Sequence, residues 1–411
     1  MPFYEILINA GCSVKDPLIY KYSNTKNIEL HIKKDRAAIR YYMSVAKSPE
    51  EMIAFKAGVF KDAYRKVFLL HGVLFDRDIN VRTITVAIDG VSVVYDKDTE
   101  GFPFVYSMIS KLPMHLSESW KSKEFCLRLI ESPKSKSNND YRQISVLAFL
   151  CSKGRPYIID RFTNLWTSMN AYYNWYADLY NEFFRKKYHY DAKYYEKIRK
   201  RIPEEKRGEF DNLRSETLSN GRKYPFIVSG DTNCIKLLME SIHKNGAFIK
   251  SSQFENDITL RAMLHRFESR LCSLSDFDLQ RLYSYSVLLL SGSQAASNDE
   301  FFDIFKLTQG MNRQNLYFFL VLEYPYICRC NYLHGSKALL LLSYENEFEI
   351  RRLKAASFFV EKFLSERIPM MITGVTKMSD DILSSLEKKV DSKNLNIMEN
   401  HKKAAENLID C

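Results

Sequence analysis

The residues of this chain best suited to chemistry are an arginine and a histidine five positions apart. They sit in Tyr324-Pro-Tyr-Ile-Cys-Arg329-Cys-Asn331-Tyr-Leu-His334-Gly335-Ser-Lys337. Arginine carries a permanent charge on a planar fork that matches phosphate oxygens. Histidine accepts and returns a proton near neutral pH. Together they can support RNA cleavage without a metal. Such cleavage needs a base for the 2′-hydroxyl proton, a cation for the charge building on the phosphoryl oxygens, and an acid for the leaving 5′-oxygen. Arg329 is the candidate phosphate clamp and His334 the candidate proton-transfer group. Asn331 is the candidate to orient His334 or touch the phosphate, and Lys337 is a further candidate phosphate contact.

The spacing limits what one copy can do. The segment reads as a helix beginning near Arg329, and five helical residues turn through about 500°, so the two side chains point about 140° apart. A symmetric pair of helices solves this by bringing two arginines and two histidines into one cleft. The same residues also fit a plain helix N-terminus whose histidine is satisfied by a backbone carbonyl.

A wider pattern accompanies the motif. Upstream lies Arg161-Phe-Thr-Asn-Leu-Trp166-Thr-Ser-Met-Asn170-Ala-Tyr-Tyr-Asn-Trp175, and downstream Tyr344–Ile368 has the spacing of a closing amphipathic helix. With the Arg-Cys-Asn-x-x-His-Gly run, these segments resemble the Apea-like branch of the HEPN superfamily, whose signature is R-x4-6-H. The resemblance covers roughly residues 155–370. It implies an all-α HEPN-type helical bundle, a homodimer with facing motifs, metal-independent endoribonuclease activity of the toxin or antiviral-defence kind, and no cofactor. It also places Asn170 where it would hold Arg329. Cys330 occupies the position after the arginine where many nuclease members carry a polar residue, and Asn331 follows one later. That departure favours the alternative, a non-catalytic HEPN module that dimerises and binds nucleotide, RNA or a partner protein.

A second match, Arg65-Lys-Val-Phe-Leu-Leu-His71, lacks this context. It reads as the end of a helix starting near Ser48, with Gly72 as the stop and a cation in the last turn.

The segment Arg185-Lys186-Lys187-Tyr-His-Tyr-Asp-Ala-Lys-Tyr-Tyr-Glu-Lys-Ile-Arg199-Lys200-Arg201 interleaves basic and tyrosine residues. It opens an insertion over 185–224. Basic groups neutralise phosphates and tyrosine rings stack on unpaired bases, which makes Arg185, Lys186, Lys187, Arg199, Lys200 and Arg201 candidate RNA contacts. Glu204, Glu205 and Glu209 dilute the patch, and a solvated helical extension is the competing reading.

Composition is compatible with a polyanion partner. The 411 residues include 60 Lys and Arg against 50 Asp and Glu, a formal charge of +10, with 46% apolar and 14% aromatic residues. Eight scattered cysteines include no Cys-x-x-Cys pair, so neither a zinc site nor a disulfide framework is expected. No basic leader opens the chain and no apolar run reaches membrane length, so a cytoplasmic protein without membrane contact is expected.

The expected fold class is an α+β N-terminal domain followed by an all-α HEPN-type bundle, predominantly helical overall. Residues 1–150 form the α+β domain, with strands at Phe3–Asn9, Ile28–Ile32 and Val146–Cys151 and an Asp89-Gly90 hairpin. It would sense a trigger, receive a protein partner or ligand, or restrain the nuclease. Helices fill 155–370, and a helical, charged tail occupies 371–411. A break at Arg329-Cys330 separates expected helices Gln314–Cys328 and Asn331–Ser343.

Overall fold

The computed structural model describes the backbone of residues 3–10, 18–21, 28–32, 36–42, 81–88 and 91–96. From residue 116 onward it also describes most side chains, in the stretches 116–130, 141–182, 199–212, 230–242, 257–292, 299–307, 311–333 and 346–374, with short pieces elsewhere. The chain divides into two compact units, Met1–Ser168 with Val360–Val375, and Met169–Phe359 with Thr376–Cys411.

In the first unit the backbone traces six strands: β1 (Phe3–Ala10), β2 (Leu18–Lys21), β3 (Ile28–Ile32), β4 (Arg36–Tyr42), β5 (Val81–Ile88) and β6 (Val91–Asp96). They pair antiparallel in the order β2-β3-β4-β1-β5-β6. The closing pair sets Ile88 opposite Val91, with two residues between them in sequence.

The longer described helices follow from Glu118 onward. They are α1 (Glu118–Lys121), α2 (Lys123–Ile130), α3 (Tyr141–Lys153), α4 (Ile158–Lys187), α5 (Asp231–Ile242), α6 (Ile258–Cys272), α7 (Asp276–Leu290), α8 (Asp299–Phe305), α9 (Asn315–Phe318), α10 (Tyr324–Leu333) and α11 (Glu347–Thr373).

The expected fold class is corrected by this arrangement. Wherever side chains are described, every regular element is helical and no strand occurs. Val146–Cys151, expected as a strand, is the middle of α3. Residues 118–153 pack with 360–375, so residues 1–150 do not form an α+β domain of their own. The cause lies in burial: α3 buries Ser145, Val146, Ala148, Phe149, Leu150, Cys151 and Ser152 nearly all round. A continuous apolar run of that length reads alike as a buried strand or a buried helix. The small residues have a further use. Ser145 and Ser168, both fully buried, each donate to the other's backbone carbonyl, at 3.0 and 2.7 Å, where α3 crosses α4.

The first unit's core gathers around Trp120, whose ring lies 4.9 Å from that of Phe149 and 5.3 Å from that of Phe125. Its indole N–H donates to the carbonyl of Ser365 at 2.8 Å. Glu361 of α11 accepts from both Lys153 and Arg161. Helix α11 passes through Pro369 to Thr373 and stops at Gly374, whose φ of +74° is the left-handed conformation glycine adopts freely. It thus runs beyond the expected Ile368.

In the second unit Phe267 of α6 is ringed edge-on by Phe319 at 5.1 Å, Tyr324 at 5.7 Å and Phe305 at 6.0 Å. Arg352, 3% exposed, pairs with Glu268 and Glu349, as a buried cation requires. Helices α6 and α7 start on side-chain caps. The Asp257 carboxylate accepts from the N–H groups of Thr259 and Leu260, and the Ser275 hydroxyl accepts from the N–H of Asp278.

The helix carrying Arg329 is unbroken. Helices α9 and α10 are joined by a π-helical turn over Phe319–Glu323 and run to Leu333, so the expected break at Arg329-Cys330 is absent. Pro325 explains the turn. It has no N–H for the Val321 carbonyl and its ring crowds that group, so the helix widens just before it. Arg329 therefore lies in the C-terminal half of α10, not at a helix start.

Candidate functional site around Arg329

The site is built where the start of α5 meets α10. Gly230, with φ +82°, turns the chain into α5. Asp231 then occupies the first turn, where unpaired backbone N–H groups favour a carboxylate. Its Oδ2 receives Nη2 of Arg329 at 3.0 Å. Both side chains are shielded, Arg329 18% exposed and Asp231 25%. One turn earlier on α10, the Tyr326 hydroxyl lies 3.1 Å from that of Thr232. Two neighbouring residues of α5 thus grip two residues of α10 spaced three apart, which share one helix face.

The surroundings of Arg329 are polar and aromatic. Its guanidinium carbon lies 6.0 Å from the centre of the Tyr326 ring, within cation–π range. Nη1 points at the Cys330 sulfur at 4.0 Å, a weak contact. Behind Asp231 stands Tyr173 of α4, fully buried. Burial raises the phenol's pKa, and the nearby Asp231 carboxylate raises it further, so the Tyr173 hydroxyl stays protonated. Burial, then the charges of Asp231 and Asp178, push the Cys234 thiol up to about 12. Its sulfur lies 3.8 Å from Oδ1 of Asn174. Burial also raises the Tyr326 phenol, against the opposing hydrogen bond with Thr232.

The other sequence candidates are placed as follows. Asn331 lies on α10, half-buried, two residues past Arg329. Asn170 does not hold Arg329. Its backbone and side-chain oxygens both accept from Asn174, at 2.9 and 2.5 Å, and the group that holds Arg329 is Asp231. Asn170 and Asn174 lie one helical turn apart, and that local bond takes the amide. His334 and Lys337 lie outside the described residues, as do Arg65, His71, the tyrosines of the insertion and Asp380–Val390. Arg185, Lys186 and Lys187 fall within α4. Arg199, Lys200 and Arg201 are exposed, and Arg199 donates to both oxygens of Asp211.

Sequence reading missed Asp231, Tyr173, Thr232 and Tyr326. Asp231 carried the one available signal, a glycine followed by an acid at a helix start, and that signal reads equally as a cap. Among the described residues no group of three or more His, Cys, Asp or Glu is placed to hold a metal, and no helix is long and apolar enough to cross a membrane. No family model, curated protein or solved structure matches the chain.

Proposed function

We propose that this chain is a metal-independent endoribonuclease of HEPN type, acting on RNA in the cytoplasm as a toxin or antiviral-defence effector. Arg329 grips the scissile phosphate, His334 transfers the proton, and Asn331 orients one or the other. Two copies supply a composite site, because one helix cannot aim both groups at one phosphate. The observation that carries this reading is the fixed, shielded guanidinium of Arg329 in the C-terminal half of α10, held by Asp231 and backed by Tyr326. A cation placed in partial burial acts more strongly on a phosphate than a solvated one. The resemblance of the Arg329–His334 run and the Arg161–Trp175 helix to Apea-like HEPN domains points the same way.

Two observations favour the second reading, a non-catalytic module that dimerises and binds nucleotide, RNA or protein. The Arg329 charge already has a counter-charge in Asp231, and Cys330 rather than a polar residue follows it. Labelled RNA incubated with purified protein in EDTA separates the two. The nuclease reading requires cleavage leaving 2′,3′-cyclic phosphate ends, and the module reading requires binding without cleavage.

A further inference from the structure

The contact between Arg329 and Asp231 uses one nitrogen of the fork. Nη2 meets Oδ2 at 3.0 Å, and the Nη1 contact, to the Cys330 sulfur at 4.0 Å, is weak. A guanidinium has five N–H donors in two arms, so most of its capacity for a planar oxyanion is still available. The carboxylate is better anchored than the arginine. Asp231 sits in the first turn of a twelve-residue helix and is followed by Thr232, which ties the same turn to Tyr326.

We propose that Asp231 is the positioning residue for Arg329: it fixes one arm of the guanidinium and leaves the other for an RNA phosphate, with the Thr232–Tyr326 contact holding the same turn of α5 on α10. This rests on the reading that Arg329 is the phosphate clamp. A long arginine side chain loses much rotamer freedom when it binds, and a carboxylate that fixes it beforehand removes that cost from the binding step. The general field of Asp231 acts in the opposite sense. A negative charge beside a phosphate site repels RNA, so its removal by itself strengthens binding. The sign of the effect therefore separates positioning from plain electrostatics.

The test is anisotropy binding of the full chain to a fluorescent 2′-O-methyl oligoribonucleotide, which lacks the hydroxyl needed for cleavage, at one fixed salt concentration. Asp231→Asn is expected to weaken binding roughly tenfold, the loss of one charge-assisted contact. Thr232→Val, which frees the same turn of α5 from Tyr326, weakens it less. In the Arg329→Ala background neither change weakens binding further, and Asp231→Asn strengthens it slightly through the lost repulsion. Thermal melts check that each variant folds, and Thr232→Val carries the test if Asp231→Asn does not fold. Binding by Asp231→Asn and Thr232→Val equal to or tighter than the unmodified protein, with Arg329→Ala impaired, overturns the positioning role and leaves the clamp intact. Unchanged binding by Arg329→Ala, or none by the unmodified chain, overturns the clamp reading itself.

Discussion

The indole of Trp120 supplies the donor that Pro369 takes away. Pro369 lies inside α11 and has no N–H, so the carbonyl of Ser365, four residues earlier, has no helical donor. The Nε1–H of the fully buried Trp120 donates to that carbonyl at 2.8 Å. A proline that would ordinarily break a helix is accommodated because the group it orphans is satisfied from another element.

This pairing predicts a measurable coupling. Trp120→Phe leaves the Ser365 carbonyl buried without its donor and costs on the order of 1–3 kcal/mol from that source, beyond any lost packing. With Pro369→Ala in place, the new backbone N–H takes over the carbonyl, and Trp120→Phe costs less. Urea denaturation of the four proteins of the cycle measures the difference. Equal cost in both backgrounds would count against the shared carbonyl.

Glu361 gives the acid limb of stability a specific origin. Burial raises its carboxyl pKa, but Lys153 and Arg161 together outweigh burial and hold it below the ordinary carboxylate range. The folded value is thus lower than the unfolded one. The stabilisation is fully present above the unfolded pKa and is lost as pH falls through the folded pKa. Glu361→Gln should therefore be less stable than the unmodified protein at neutral pH, with the gap narrowing on acidification. Denaturation curves between pH 7 and the acid limit check this, and a gap independent of pH contradicts it.

The thiols should differ in reactivity. Burial pushes Cys234, Cys272 and Cys328 up to about 12, with nearby carboxylates adding at Cys234 and Cys272. Cys330, two residues and about 200° around the helix from the fully buried Cys328, is half-exposed. Iodoacetamide on the native protein at pH 7.5, mapped by mass spectrometry, should modify Cys330 well before those three. Modification of Cys328 at the rate of Cys330 would mean that α10 is packed differently.

What could be read from the sequence was mainly local. The caps at Asp257 and Ser275, each a short polar side chain just before an apolar-periodic run, announce helices α6 and α7 at their observed starts. The long aromatic helix α4 follows from Phe162, Leu165, Trp166, Met169, Tyr172 and Tyr173 at helical spacing. Two kinds of feature were not legible. Buried α3 carries apolar residues on every side and so shows no period to distinguish it from a strand. Continuations through Pro325 and Pro369 depend on tertiary relief, a widened turn in one case and the Trp120 donor in the other. The site divides the same way. Arg329 and Asn331 stand out by their types, whereas the link to Asp231, 98 positions away in the chain, exists only once α5 packs on α10.

The most direct test of the central claim is cleavage of labelled RNA in EDTA by the unmodified protein, Arg329→Ala and His334→Ala, with product ends identified. The account predicts EDTA-resistant cleavage leaving 2′,3′-cyclic phosphates, reduced at least about a hundredfold in each variant, as loss of a general acid–base group or a transition-state cation implies. Cleavage unchanged in either variant, or RNA bound but never cut by the unmodified protein, would contradict it.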